Sequence, residues 1–170
     1  MIKRLVFLFF IAAVAAVFIR TFVVEGIYIA SASMEPTLPV NTKYFLEKLT
    51  LEFRTPKRGD IVVFPSPVDF GKDLVKRVIA VGGDRIEIKK KQVLLNGVAL
   101  YEPYVKHTRS DEMLQGDDIE TLDVPEKTLF VMGDNRDESG DSRDWIDKAT
   151  REHVYFVPVK NVRGKILLLY

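Results

Sequence analysis

The sequence predicts a mainly β domain that follows one N-terminal apolar helix. Its 170 residues suit a single main core. Runs of β-branched and aromatic residues recur about every ten positions between turns rich in Gly, Pro, Asn and Asp, as is typical of an antiparallel β domain. The first 24 residues instead form a nearly continuous apolar stretch with helical length.

The apolar N-terminal stretch predicts a membrane span. Lys3 and Arg4 precede an uncharged run of 15 residues. A helix that continues this run to Val24 would be ~30 Å long at ~1.5 Å per residue, which matches the hydrocarbon layer. The two basic residues favour a cytoplasmic N-terminus, with the rest of the chain on the outer side.

A removable secretory signal is the alternative for the same stretch. Such a signal also needs a basic start and a short apolar run. Residues 30–32, Ala-Ser-Ala, offer a cleavage site that would leave Ser33 as the new N-terminus. The residues themselves leave both alternatives open, and both place the remainder outside the cytoplasm.

The strands are predicted from alternating or continuous apolar runs. Pro36 and Pro39 interrupt regular structure and place Ser33 where a strand meets a turn. Residues 44–53 are ambiguous between strand and helix. The predicted strands are 25–31, 61–64, 74–81, a hairpin within 85–100, 128–132, 153–159 and 164–170.

The composition also predicts how the domain is divided. Residues 101–123 are polar and acidic and indicate an exposed elaboration. We therefore expect an anchor over 1–24, a β core formed by 25–84 and 123–170, and a β-hairpin elaboration over 85–122.

The strand over 74–81 contains two adjacent basic residues among apolar ones. Side chains alternate between the faces of a strand, so Leu74, Lys76, Val78 and Ala80 are predicted on one face. Val75, Arg77, Ile79 and Val81 are predicted on the other. Each mostly apolar face therefore carries one charged residue. At least one of these two residues must have an interaction partner or a functional role.

Composition and motifs exclude several functional classes. With 25 basic and 24 acidic residues, the chain has no field that would hold a nucleic acid. Cysteine is absent, which excludes disulfides and thiolate metal sites. His107 and His153 lie far apart without an H-E-x-x-H helix, and residues 134–145 fail as a calcium loop because Ile146 stands where an acidic ligand is needed. No metal or cofactor is expected.

A lysine is the remaining general base for hydrolysis by a serine. No G-x-S-x-G motif is present. A lysine must lose about three pKa units from ~10.4 to act near neutrality, which requires burial or nearby positive charge. Lys76 is the best candidate, since Arg77 cannot give up its proton. The alternative is that Lys76 snorkels to water from a strand edge.

Five segments together resemble a known family. SASMEPTL, GDIVVF, LVKRVIAVGGD, LNGVALYEPYV and GDNRDESGDSRDW are similar, in order and character, to bacterial type I signal peptidases, which are membrane-anchored serine endopeptidases with a Ser-Lys dyad. The resemblance extends from the apolar start to the last strand. It implies a β-rich catalytic domain of coiled antiparallel sheets with a hairpin elaboration.

The resemblance implies a role for each matching residue. Ser33 would be the nucleophile and Lys76 the general base. The Ser31 hydroxyl and the Ser33 amide would form the oxyanion hole, Ser139 would orient the lysine, and Asp141 with Arg143 would brace the loop. Gly133, Asp134 and Asn135 belong to the same structural motif. The substrate pockets would be lined by Ile29, Met34, Leu38, Leu74 and Val75.

The resemblance also implies a setting and a substrate. Loss of the segment before Ser33 would discard Ser31, so a retained single-pass anchor in the cytoplasmic membrane is expected, with the catalytic domain on the outer face. Its partners would be membrane lipid and signal-peptide-bearing preproteins, cut after an Ala-x-Ala-like motif. Two alternatives are a membrane-anchored β domain that only binds peptides or the cell envelope, and a member of the self-cleaving repressors, which also use a Ser-Lys pair.

Overall fold

The computed structural model describes residues 2–167 and consists of one N-terminal helix and two antiparallel sheets. The helices are α1 (Ile2–Phe22) and α2 (Leu49–Phe53), with short 3₁₀ turns at Ala32–Met34, Arg136–Glu138 and Val159–Asn161. The strands are β1 (Val24–Tyr28), β2 (Lys43–Glu47), β3 (Ile61–Pro65), β4 (Asp73–Val81), β5 (Arg85–Lys89), β6 (Gln92–Leu95), β7 (Val98–Ala99), β8 (Ile119–Asp123), β9 (Thr128–Met132), β10 (Val157–Pro158) and β11 (Gly164–Leu167).

The larger sheet has seven strands in the order β1-β2-β11-β3-β4-β9-β10, and the smaller has four in the order β7-β6-β5-β8. All paired neighbours in both sheets are antiparallel. The predicted mainly β fold is therefore confirmed. Strand β11 separates the β1–β2 hairpin from the β3–β4 hairpin, although it comes last in the chain.

Within residues 2–167, no helix combines the length and the apolar character that crossing a membrane requires. The anchor predicted over 1–24 stays a prediction. Residues 1 and 168–170 lie outside the described residues, and so does the end of the strand predicted over 164–170.

Strand β3 explains why the large sheet has a core on both faces. Its four apolar residues are all buried, and alternation sends them to opposite sides. Ile61 and Val63 pack with Met34 and Leu38, near the turn that carries Ser33, whereas Val62 and Phe64 pack with Trp145 and others. A third cluster joins the two sheets and contains Ile79, Ala80, Ile86, Ile88, Val93, Leu95, Val124, Phe130 and Met132.

A β-bulge in β4 makes part of the predicted alternation wrong. The pairing with β9 shifts between Val78 and Ala80, which leaves one extra residue in β4. Beyond the bulge, Val81 packs in the same cluster as Val78, and Ala80 packs with Ile79 instead. The shift lies after Val78, so it does not alter the faces predicted for the residues up to Val78, which include Lys76 and Arg77.

Other elements agree with the sequence to different degrees. The hairpin within 85–100 is confirmed, and Lys90 and Lys91 form its turn with positive φ. The ambiguous segment 44–53 divides into β2 and α2. The strand predicted over 153–159 is wrong except for Val157–Pro158, because Pro158 lacks an amide hydrogen and the preceding aromatic residues pack by their rings rather than pair along β9.

Burial of Phe130 allows a direct test of the core between the sheets. Phe130 is fully buried and meets Phe156 edge to face, with ring centroids 6.4 Å apart. Phe130→Ala should lower the free energy of unfolding by about 3–5 kcal/mol in a denaturation experiment. Phe70→Ala is the matched control, since Phe70 is fully exposed and its loss should cost little. Equal stabilities of the two variants would contradict the assigned core.

Candidate active site

The turn that carries Ser33 lies directly after β1. Residues 32–34 form a single 3₁₀ turn, and Met34 and Leu38 anchor it in the core below. Backbone hydrogen bonds from Ile29 to Thr42 and from Asn41 to Ile29 hold the base of the turn. Ser33 is buried, with 8% of its surface exposed, yet it lines an open cleft.

A second segment, residues 133–135, packs against the turn from behind. The Asn135 amide donates to the Ser33 carbonyl oxygen at 3.1 Å, and the Asn135 side chain donates to the Ala32 carbonyl oxygen at 3.2 Å. Gly133 is required at this contact: a Cβ there would lie 2.4 Å from the Ser33 carbonyl oxygen and 2.2 Å from Ser139 Oγ. The chain can therefore approach this closely only without a side chain.

Lys76 lies on β4 with only 3% of its surface exposed. Among residues 2–167 its amine makes no hydrogen bond or ion pair. Burial lowers the pKa of Lys76 to about 8, although the negative charges of Asp141 and Asp144 oppose the change. The alternative that Lys76 snorkels to water from a strand edge is therefore wrong.

Arg77, the neighbour of Lys76, has a structural partner instead. Its guanidinium binds Asp134 through two hydrogen bonds of 2.6 and 2.8 Å and lies 3.9 Å from the centre of the Tyr104 ring. Of the two adjacent basic residues on β4, Arg77 therefore has the charged partner that the sequence analysis expected for at least one of them. Lys76 remains the candidate for a function.

Ser31 is exposed at the mouth of the same cleft. Its hydroxyl oxygen lies 3.3 Å from Ser33 Oγ. The two serines that were expected to act together are thus adjacent, although Ser31 lies outside the buried part of the turn.

Asp141 and Arg143 form the ion pair that was expected of them. Arg143 Nε lies 2.8 Å from Asp141 Oδ1, and both side chains are buried. Burial would raise the pKa of the Asp141 carboxyl, but the charge of Arg143 and hydrogen bonds from Arg143 and Gly133 keep it below its usual value. The carboxylate therefore stays ionised beneath Lys76.

Ser139 has a different partner from the one expected. Its hydroxyl donates to Asp141 Oδ2 at 2.7 Å and not to Lys76. A carboxylate is a stronger acceptor than a neutral group, and a serine has only one proton to donate. Any effect of Ser139 on the lysine in this arrangement passes through Asp141.

The elaboration after β4 braces this loop with buried charges. Arg136 pairs with Glu102 at 2.5 Å, and Arg143 lies 3.5 Å from Asp117. Lys91 pairs with Asp137 at 3.2 Å. Sequence reasoning missed Asp117 and Glu102, because acidic residues in a polar segment give no sign that they are buried.

Ser33 and Lys76 both line one cleft of about 540 Å³. Four of the five residues predicted to form the substrate pockets line it: Ile29, Met34, Leu74 and Val75. The prediction for Leu38 is wrong: Leu38 does not line the cleft and is fully buried in the core beside Ile61 and Val63.

Two strand edges face the cleft with unpaired backbone. Strand β1 is an edge strand of the large sheet and pairs only with β2. Residues 73–76 of β4 pair with β3 on one side, but the pairing with β9 on the other side begins at Arg77. An extended peptide could therefore add to either edge.

Neither histidine is placed for metal binding or for a triad. His107 lies 3.2 Å from Asp137 through Nδ1, and His153 stacks on Tyr155 with ring centroids 4.8 Å apart. In the part of the chain that the structure describes, no group of three or more acidic or histidine side chains could hold a metal ion.

The chain is similar along its length to known peptidases. A sequence model of the family described as "Signal peptidase, peptidase S26" matches residues 2–170. The chain is 39% identical to a probable signal peptidase I-2 of Synechocystis, over 94% of this chain and 68% of that protein. It is 32% identical to signal peptidase I P of Bacillus subtilis subsp. natto, over 90% of this chain and 87% of that protein.

A solved structure gives the same result. The crystal structure of a signal peptidase I from Enterococcus faecalis matches with a TM-score of 0.50 and 32% identity, and covers 68% of this chain and 98% of that one. The fold and the relatives define a serine endopeptidase. The chain belongs to the signal peptidase family, peptidase S26.

The contact at Gly133 yields a test of the site's packing. Gly133→Ala should lower both the melting temperature and the rate of peptide cleavage, because the new methyl group would overlap Ser139 and the Ser33 carbonyl. Gly140→Ala is the control for stability: a Cβ at Gly140 meets nothing within 4 Å. Differential scanning fluorimetry would compare the melting temperatures of the two variants, and a peptide assay would give the rate of cleavage by Gly133→Ala. A stable, active Gly133→Ala variant would contradict the close approach.

Proposed function

We propose that this chain removes N-terminal signal peptides from exported precursor proteins by acyl transfer to Ser33. The observation that carries the proposal is the buried amine of Lys76, unpaired by any carboxylate within residues 2–167, in the same cleft as Ser33. A burial that lowers the pKa of an amine to about 8 makes it a usable base.

The proposed mechanism assigns one proton carrier and two hydrogen-bond donors. Neutral Lys76 accepts the Ser33 hydroxyl proton as Oγ attacks the scissile carbonyl carbon. The Ser33 amide and the Ser31 hydroxyl stabilise the oxyanion. The lysine then protonates the leaving amine and, after that fragment departs, activates the water that hydrolyses the acyl-enzyme.

The substrate would bind as an extended strand between the open edges of β1 and β4. Main-chain hydrogen bonds would supply affinity, and alternate side chains would point into the cleft. Ile29 and Met34, which line the cleft together with Ser33, expose only 4% and 1% of their surface, so they offer little apolar surface to a substrate side chain. This favours small residues at the first and third positions before the cut, as in Ala-x-Ala.

We also propose that α1 holds the enzyme at the membrane as a single-pass anchor with its N-terminus in the cytoplasm. Apolar side chains of α1 are exposed between residues 2 and 17, among them Leu5, Phe9 and Val17 at 59, 76 and 66%. Such a surface favours lipid over water. An enzyme that shares a surface with its membrane-tethered precursors meets them at a high effective concentration.

The proposed division of the chain keeps its sequence boundaries: an anchor over 1–24, a catalytic core of 25–84 with 123–170, and an elaboration over 85–122. The ion pairs from Glu102, Asp117 and Lys91 support a bracing role for the elaboration. The alternative of a domain that only binds peptides would leave the buried Lys76 amine without a purpose.

Substitution of the two central residues tests the mechanism. Ser33→Ala and Lys76→Ala should each abolish cleavage of a precursor peptide whose signal ends in Ala-x-Ala. Lys76→Arg should fail as completely, because a guanidinium keeps its proton. Ser110→Ala and Lys89→Ala remove exposed residues of the same types and should retain full activity. Cleavage by Ser33→Ala at the normal rate would refute acyl transfer to Ser33.

The pH dependence of kcat/KM tests the state of the base. Only the neutral amine accepts a proton, so kcat/KM should fall about tenfold per unit of pH below the pKa of Lys76, which is about 8, and level off above it. A rate profile with a short precursor peptide would measure this. An acid limb centred near pH 6 would indicate a different base.

A further inference from the structure

We propose that Asn135 is a positioning residue for the oxyanion site. Its side-chain amide holds the Ala32 carbonyl and thereby directs the Ser33 N–H toward the scissile carbonyl. The inference rests on the proposed function, since it needs the Ser33 amide to be an oxyanion donor. The hydrogen bonds around one peptide plane support this role.

The peptide unit between Ala32 and Ser33 is held on its carbonyl side. The Ala32 oxygen accepts hydrogen bonds from the Glu35 amide at 3.1 Å and from Asn135 Nδ2 at 3.2 Å. In a trans peptide unit the N–H points opposite to the C=O. Fixing the carbonyl toward Asn135 therefore fixes the Ser33 N–H away from it.

The side away from Asn135 is the cleft. Ser31 and Ser33 line the cleft, whereas Asn135 does not. Among the described residues the Ser33 N–H donates to no backbone acceptor. It is thus a free donor, with the Ser31 hydroxyl oxygen 3.3 Å from Ser33 Oγ on the same side.

Asn135 can orient the turn because its own position is fixed. Its backbone amide donates to the Ser33 carbonyl at 3.1 Å, so one residue holds the peptide units on both sides of Ser33. The strand-like contact of Lys106 with residues 134–136 holds Asn135 in turn, through hydrogen bonds of 2.9 Å on either side. Asn135 is 1% exposed.

The other end of the side chain argues against a purely packing role. Asn135 Oδ1 is buried and has no hydrogen-bond partner among the described residues. An apolar residue of similar size would avoid this unfavourable burial. The orientation of the amide is set chemically, because the Ala32 oxygen is only an acceptor and must face the nitrogen. A donor at this position is thus kept despite the unpaired oxygen.

Asn135→Ala tests the proposal through steady-state kinetics with a precursor peptide. We expect kcat to fall about 10-fold to 100-fold with KM within about twofold, because the Ser33 N–H matters most in the transition state. The acid limb of the pH profile should stay near 8, since Lys76 is untouched. Asn96→Gly is the control: it removes two remote side-chain hydrogen bonds, from the Arg85 amide and to Asp84, at a turn with positive φ, and should leave kcat unchanged.

Asn135→Asp is the second variant and covers the case in which the alanine variant does not fold. It keeps the volume but turns an oxygen toward the Ala32 oxygen, so the same loss of kcat is expected. Asn135→Ala combined with Ser31→Ala should lose less than the product of the single losses, because both substitutions act on one oxyanion.

Three results would overturn the proposal: an unchanged kcat in a folded Asn135 variant, a loss confined to KM, or a shifted acid limb. Each of them would leave acyl transfer intact. Failure of the proposed function is distinguishable, because it would appear as activity in Ser33→Ala.

Discussion

The burial of one amine determines how the rest of this site is built. Taking Lys76 out of water lowers its pKa from 10.5 to about 8, a difference worth about 3 kcal/mol. The folded protein carries this cost wherever the amine is charged, below pH 8, and the cost fades as the pH rises toward 10.5. Asp141 and Asp144 reduce the cost by their charge but make no direct ion pair with the amine. A direct pair would raise the pKa and keep the proton in place.

The polar residues around Lys76 are arranged so that no carboxylate among them binds its amine directly. Asp141 must stay ionised without binding Lys76, and it does so because Arg143, Ser139 and the Gly133 amide occupy its oxygens. Arg143 in turn approaches Asp117 of the elaboration. The result is a layer of paired, buried charges whose field acts on Lys76 without a direct bond to its amine. Buried networks of this kind are stable only when nearly every member is paired.

Sequence reasoning predicted most of the strands, and it singled out Ser33 and Lys76, which line one cleft, because short motifs carry them. Continuous apolar runs identified β3 and β4, and the lone charges within β4 identified Lys76 and Arg77. The failures have physical causes. Alternation cannot reveal the bulge at Ile79, nor can β propensity show that residues 153–156 lack a partner strand. Leu38 was placed in the cleft because it follows the motif, but tertiary packing buries it. The hydrogen bonds that Asn135 makes to the Ser33 turn join segments about 100 residues apart, which no local pattern encodes.

Strand β11 has a consequence for the geometry of the cleft. Among the described residues it is the strand that joins the β1–β2 hairpin, next to the Ser33 turn, to the β3–β4 hairpin, which carries Lys76. Without β11 the backbone ladder between these two parts of the large sheet would be interrupted, and the Ser33 turn would stay attached through contacts such as the hydrogen bonds of Asn135 and packing in the core. A defect in β11 would therefore loosen the spacing of Ser33 and Lys76 without touching either residue.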